Sequence, residues 1–213
     1  MRVAIIDYGS GNLRSAAKAV ERAGQESGLD CTVVVTAAAE VAAAADRLVL
    51  PGVGAFADCM RGLAAVDGMV AALQSAVIDA GRPFLGICVG MQLLASRGLE
   101  HGVHAGLDWI GGDVVPFRPA SPDIKIPHMG WNSLSIARPH PLLRGISQGD
   151  HVYFLHSYCM EPADEDVIKA EVNHGEPVAA VLAKDNIVGT QFHPEKSQKI
   201  GLRIIANFLN WRP

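Results

Sequence analysis

Only four cysteines stand in the 213 residues, at positions 31, 59, 88 and 159, and no two form a C-x-x-C pair. That spacing excludes a disulfide framework and a cysteine-rich zinc site, and it points to a reducing, cytoplasmic compartment. Long apolar runs are missing as well. None reaches the ~18 residues of a membrane span. The apolar start, Met1 to Asp7, is too short for a signal peptide and carries no cleavage site, so it reads as a first strand. Basic clusters are also absent. The 18 Lys and Arg are scattered among 22 Asp and Glu, which leaves no electrostatic footprint for nucleic acid. Two glycine-rich stretches, Tyr8–Asn12 and Pro51–Gly54, lack the spacing of a phosphate loop or a dinucleotide fingerprint. His101 and His104 stand without the carboxylate or cysteine company that a metal site needs. No metal and no cofactor is expected.

What the chain does have is an apolar content of 49% and an alternation of periods. Val3–Asp7, Cys31–Val35, Arg47–Leu50 and Phe84–Ile87 read as short buried strands. Between them, Leu13–Ala23 reads as a helix stopping at Gly24, Ala37–Ala45 as a short helix, and Phe56 to Ala80 as helical segments. Pro51-Gly52-Val53-Gly54 interrupts the pattern. This βαβα order predicts an α/β fold with a mostly parallel central sheet and helices on both faces. After about Trp109 the character changes. Trp109–Val115, Ser133–Ile136, His151–Tyr158, Val167–Asn173, Val178–Ala183 and Ile187–Phe192 read as additional antiparallel strands in the C-terminal half, the last two joined by a tight turn at Asp185-Asn186. Ile200–Leu209 closes the chain as an amphipathic helix. No linker, repeat or boundary divides the sequence, so 1–213 is expected to be one domain.

Chemistry concentrates where strand Phe84–Ile87 runs into Gly86-Ile87-Cys88-Val89-Gly90, a G-x-C-x-G. This is the thiol version of a nucleophile elbow. A strand reversing sharply into a helix strains its apical residue, and side chains two positions either side collide unless they are glycine. The helix amino end behind the thiol favours thiolate. A base is supplied by His193-Pro194-Glu195. If this stretch is extended, i and i+2 share a face, which sets Glu195 to hold the imidazole and leaves the other ring nitrogen for Cys88. An oxyanion site follows from the backbone N–H of Val89 and from the loop carrying Gly52 and Val53. With glycine on both sides of Val53, the Gly52–Val53 peptide has two orientations, one offering its N–H to an oxyanion and one withdrawing it. His156 reads as a hydrogen-bonded residue near the pocket rather than a second base.

The blocks Gly86-Ile87-Cys88-Val89-Gly90-Met91-Gln92 and His193-Pro194-Glu195 resemble the Cys–His–Glu triad of class I glutamine amidotransferases. Four further stretches narrow the resemblance: Asp7–Leu13, Pro51–Phe56, Ile126-Pro127-His128-Met129-Gly130-Trp131-Asn132, and the extension to Lys196-Ser197. Together they are similar to the glutaminase-subunit family of imidazole glycerol phosphate synthase, over nearly the whole chain. Val89 departs from the more usual Leu, while keeping its backbone N–H. The resemblance implies glutamine as substrate, with Gln92, Glu100, Ser157 and Tyr158 around it. It also implies delivery of ammonia to a cyclase subunit with a (β/α)8 barrel, forming a heterodimer. Asn12, Trp131, Tyr153 and Lys196 are then the expected docking residues. Competing readings are the glutaminase of anthranilate, aminodeoxychorismate or pyridoxal phosphate synthesis, and a partnerless γ-glutamyl cysteine hydrolase. The first two usually carry Gly-His-Gln where this chain has Gly90-Met91-Gln92. They also lack the Pro127–Asn132 block, and its presence equally disfavours the pyridoxal phosphate synthase reading.

Overall fold

The computed structural model describes residues 1–118, 121 and 123–213. Strands β1 (Arg2–Ile6), β2 (Thr32–Thr36), β3 (Arg47–Gly52) and β4 (Phe84–Cys88) alternate with helices α1 (Leu13–Glu26), α2 (Ala39–Ala43), α3 (Phe56–Ala65) and α4 (Met69–Leu73). A π-helical segment, Gln74–Asp79, extends α4, and the one-turn α5 (Val89–Gln92) follows β4. Then come β5 (Arg97–Gly98), β6 (His104–Ala105), β7 (Gly112–Pro116), β8 (His128–Ile136), β9 (His151–His156) and β10 (Tyr158–Pro162). The chain finishes with β11 (Ile168–Asn173), β12 (Pro177–Lys184), β13 (Ile187–Thr190) and α6 (Gln198–Asn210).

Nine strands form the main sheet in the order β2-β1-β3-β4-β13-β12-β11-β8-β9. Its first five strands are parallel and the rest antiparallel. The parallel strands are almost solidly apolar, as strands covered on both faces must be. β3 and β4 are buried from end to end. Because parallel crossovers are right-handed and the strand order reverses direction after β2, α1 falls on one face and α2, α3 and α4 on the other. α6 packs on α1, and the buried residues form one continuous cluster. A second sheet, β10-β7-β5-β6, covers the region beyond α5. Among the described residues no single helix is long and apolar enough to cross a membrane.

Three expectations about elements are corrected. Helix α1 runs through Gly24 to Glu26. A Cβ on Gly24 would lie 2.3 Å from the Cys31 sulfur, so this glycine serves close packing. The chain leaves the helix at Gly28, whose φ of 66° is left-handed. Pro51 and Gly52 do not break β3, but pair with Ile87 and Cys88 of β4. His151–Tyr158 is not one strand. It divides at Ser157, with β9 in the main sheet and β10 in the second. The two-residue turn Asp185-Asn186 joins β12 to β13 as expected, with Lys184 paired to Ile187 and Asp185 at φ 50°.

Candidate active site

All parallel strands present their carboxyl ends on one edge, which is where such sheets place their crevice. Cys88 ends β4 with φ 54° and ψ −112°, a conformation that is strained for any residue with a side chain. Its neighbours show what the elbow requires. A Cβ on Gly86 would fall 2.5 Å from the Gly90 carbonyl oxygen, and one on Gly90 1.8 Å from the Leu50 oxygen. The two glycines let the turn close against itself and against β3. The helix behind the thiol, α5, is a single turn. Help for a thiolate therefore comes from first-turn N–H groups such as Val89's, which have no acceptor within the helix, and not from a long macrodipole.

His193 and Glu195 meet as expected, with Nδ1 2.8 Å from Oε1 and both side chains 2% exposed. The backbone reason differs from an extended strand. Pro194–Lys196 is a 3-10 turn, so the turn brings the carboxylate back under the ring. Ser197 fastens it by donating to the His193 carbonyl at 2.7 Å and accepting from the Tyr153 N–H at 2.9 Å. Burial pulls the His193 pKa down, but the Cys88 thiol and Glu195 carboxylate beside it outweigh burial and push it up to about 9. An imidazole in that setting holds a proton readily, as a base taking one from a thiol must. Glu195 Oε2 is buried and has no hydrogen-bond partner among the described residues.

Cys88, Val89, Gln92, Glu100, Ser157, Tyr158 and His193 line one cleft of about 150 Å³, together with Val53, Gly54, Leu155 and His156. That is well below the ~300–1,000 Å³ of drug-sized sites, and it suits a ligand of amino-acid size. A cleft of about 520 Å³ lined by Met1, Arg47 and Trp211 lies at the opposite edge, with no thiol or hydroxyl side chain in its lining. Gly52 does not line the site. It lies in β3, where a Cβ would meet the Gly90 nitrogen at 2.6 Å and the Tyr8 hydroxyl at 2.8 Å. Glu100 Oε2 accepts from the Phe56 N–H at 2.8 Å, capping α3 from the cleft wall.

The Val53 N–H is turned to Ser10, donating to its Oγ at 3.1 Å. The same hydroxyl donates to the Val53 carbonyl at 2.6 Å. The Cys59 thiol donates to that carbonyl too, at 3.4 Å. In this state the loop's N–H is spent on the β1–α1 loop, which is the withdrawn one of the two orientations that the sequence allows. Ser10 and Cys59 were not singled out from the sequence. Ser10 lies in the glycine-rich stretch Tyr8–Asn12, and its contact is 43 residues distant.

A chain of oriented bonds runs behind the cleft. His156 Nδ1 donates to the Tyr158 carbonyl at 2.9 Å, so its Nε2 must accept, and His128 Nδ1 donates to it at 3.2 Å. Asn132 Nδ2 in turn donates to His128 Nε2 at 3.1 Å. Burial holds both rings neutral, with His156 lowered to about 3 and His128 to about 4. His156 is thus a hydrogen-bonded wall residue and no second base.

Trp131 and Tyr153 lie opposite each other on β8 and β9 with ring centroids 6.1 Å apart, and Lys196 Nζ sits 5.6 Å from the Tyr153 centroid. Met129 and Leu155, the next cross-strand pair on the same face, are exposed. Asn12 stands at the start of α1 on the same carboxyl edge.

An elbow thiol and an oriented imidazole at the edge of an α/β sheet describe a cysteine amidotransferase. The family description glutamine amidotransferase class-I matches residues 4–211, and the chain belongs to that family. Over their full lengths, the chain is 61% identical to imidazole glycerol phosphate synthase subunit HisH of Rhodospirillum rubrum and 57% identical to that of Rhizobium meliloti. It is 56% identical to the same subunit of Brucella suis, again with both chains wholly covered. Within the family it therefore belongs with the HisH subunits. Solved structures agree on the fold. A glutamine amidotransferase superposes with a TM-score of 0.71 at 17% identity, covering 98% of this chain and 97% of that one. A glutamine amidotransferase of Thermotoga maritima gives 0.63 at 17% identity, covering 99% and 83%.

Proposed function

We propose that Cys88, His193 and Glu195 hydrolyse the side-chain amide of glutamine and that the ammonia leaves for a second subunit. The chain is the glutaminase subunit of an imidazole glycerol phosphate synthase of histidine biosynthesis. The observation that carries the triad is the coincidence, in one amino-acid-sized cleft, of a thiol at a strained elbow and an imidazole held by a buried carboxylate. The thiol proton passes to His193 and the sulfur attacks the amide carbon. The C–N bond then breaks as His193 returns the proton to the leaving ammonia. Water, deprotonated by the same imidazole, attacks the thioester and frees glutamate and the thiol. The tetrahedral oxyanion is served by the Val89 N–H and, once its peptide turns from Ser10, by the Val53 N–H. Gln92, Glu100, Ser157 and Tyr158 hold the amino acid.

The cleft has no room for an acceptor substrate beside glutamine, which supports transfer to a partner. The stripe of exposed Met129, Trp131 and Leu155 with half-buried Tyr153, and Lys196 at its end, suits such docking because aromatic residues dominate interface energetics. We assign it, with Asn12, to a cyclase subunit built as a (β/α)8 barrel, which would release imidazole glycerol phosphate and aminoimidazole carboxamide ribotide. The 213 residues act as one amidotransferase domain in the cytoplasm, where four unpaired thiols are at home. The test is glutamine turnover by the chain with its cyclase, unmutated and as Cys88→Ala. Loss of glutamine-driven synthesis with retention of ammonia-driven synthesis is expected. Glutamine turnover surviving in Cys88→Ala would refute the assignment.

A further inference from the structure

The Cys88 sulfur faces two polar neighbours besides His193, and they favour opposite protonation states. The Leu155 carbonyl oxygen lies 3.8 Å from it and accepts from the thiol, so it stabilises S–H and repels a thiolate. The Gln191 side chain is fully buried, and its Nε2 points at the same sulfur from 3.7 Å. A donor there favours the thiolate, because hydrogen bonds strengthen when the acceptor is charged.

The direction of the Gln191 amide is dictated by its surroundings. The Tyr158 carbonyl can only accept, so the Gln92 group 2.9 Å from it must be the NH2. That same NH2 lies 3.1 Å from the far end of Gln191, which must therefore be the oxygen. Turning the Gln191 amide over would set NH2 against NH2 there and leave an oxygen facing the sulfur. The Tyr158 carbonyl is held in its turn by His156. The orientation is thus set by one backbone carbonyl and passed through two amides to the nucleophile.

We infer that Gln191 is a further catalytic residue, the neutral donor that stabilises the Cys88 thiolate, with Gln92 positioning it. This rests on Cys88 being the nucleophile. The donor has a definite kinetic signature. A hydrogen bond to a charged group is ordinarily worth about a tenfold shift or more in an equilibrium, and the length of this one favours the lower figure. Removing it should raise the pH midpoint of Cys88 reactivity by about one unit. The less stabilised thiolate is also the stronger nucleophile. With a Brønsted slope of about 0.4–0.5, tenfold in basicity returns about threefold in intrinsic rate.

The experiment follows mixed-disulfide formation at Cys88 with a small disulfide reagent across the thiol titration range, read by peptide mass in the full chain. Gln191→Met should react about threefold slower than the parent below the midpoint and about threefold faster on the alkaline plateau, so the two profiles cross. Gln191→Glu, which keeps the shape and places oxygen against the sulfur, should move the midpoint further. Loosened packing alone would change the rate in one direction at every pH. In the unmutated chain, the Gln191 side-chain amide nitrogen resonance should titrate at the Cys88 midpoint, which keeps the test available if a variant does not fold. An unmoved midpoint in either folded variant, or an amide resonance that ignores the titration, would overturn the inference. The nucleophile assignment fails separately, through Cys88→Ala retaining glutamine hydrolysis.

Discussion

Ser10→Ala should raise the glutaminase rate of the chain alone. The Ser10 hydroxyl holds the Val53 N–H at 3.1 Å and the Val53 carbonyl at 2.6 Å. Only the first of these must break when the Gly52–Val53 peptide turns, because the Val53 carbonyl belongs to the next peptide, and one net hydrogen bond contributes about 0.5–1.5 kcal/mol. Releasing it lets the Gly52–Val53 peptide turn its N–H toward the oxyanion position, and about 0.5–1.5 kcal/mol corresponds to roughly 2–10-fold in population. An oxyanion donor is worth ~10²–10³ in rate, so the turned population governs basal turnover and the rate should rise by that same roughly 2–10-fold. Cys59 still holds the carbonyl at 3.4 Å, which keeps the loop from coming loose altogether. The assay is steady-state glutamate release by the chain alone, with the cyclase, and with the cyclase carrying its own substrate. The last rate should scarcely change, so the activation ratio should shrink. A basal rate that stays level or falls in a folded Ser10→Ala protein would refute the reasoning.

His193→Ala should cost more activity than Glu195→Gln, because the first removes the base and the second only its orientation and charge support; comparing kcat for the two variants decides it. Cys88 alone should be labelled by glutamine-like electrophiles, and peptide mapping that finds label on Cys31, Cys59 or Cys159 with activity lost would contradict this. Stability should fall on acidification below about 6.5, the ordinary histidine value, as His156 and His128 are lowered to about 3 and about 4 in the fold. The unfolded chain then binds protons that the folded one refuses, at about 1.4 kcal/mol per pH unit for each histidine. His193 has the opposite sign. Raised to about 9, it adds stability that is full below about 6.5 and is lost as pH rises through about 9. Chemical denaturation at a series of pH values reads both limbs. Trp131→Ala and Lys196→Ala should weaken cyclase binding and ammonia transfer at unchanged melting temperature, and unchanged affinity in both would place the docking face elsewhere.

Much of the site was legible because its parts are local in sequence. G-x-C-x-G states its own geometry, since the clashes at Gly86 and Gly90 arise within and beside one turn. His193 and Glu195 are two residues apart, and almost any compact turn brings them together, which is why the pairing held although the backbone is a 3-10 turn and no strand. Four of the five parallel strands, β1 to β4, were legible from their alternation with helices, while β13 read as one of the antiparallel additions and proves parallel to β4. Strand order was not legible, because it depends on which crossovers the whole chain can close. Helix α1 ran past Gly24 for a related reason. Nothing local distinguishes a terminating glycine from one that makes room for Cys31.

Residues brought in from distant strands were decided by tertiary structure alone. Ser157 reads as strand interior, yet there the chain passes from one sheet to the other, and that passage hangs Leu155, His156 and Tyr158 over the thiol. Gln191 reads as one more residue before His193. Only the packing of β13 beside β4, 103 positions away in sequence, carries its amide to Cys88. The sequence by itself determined which atoms react, because nucleophile, base and turn chemistry are set within a few bonds of one another. Tertiary structure determined which protonation states those atoms hold and where the Val53 N–H points, because both depend on donors and acceptors fixed by the closing of the sheet.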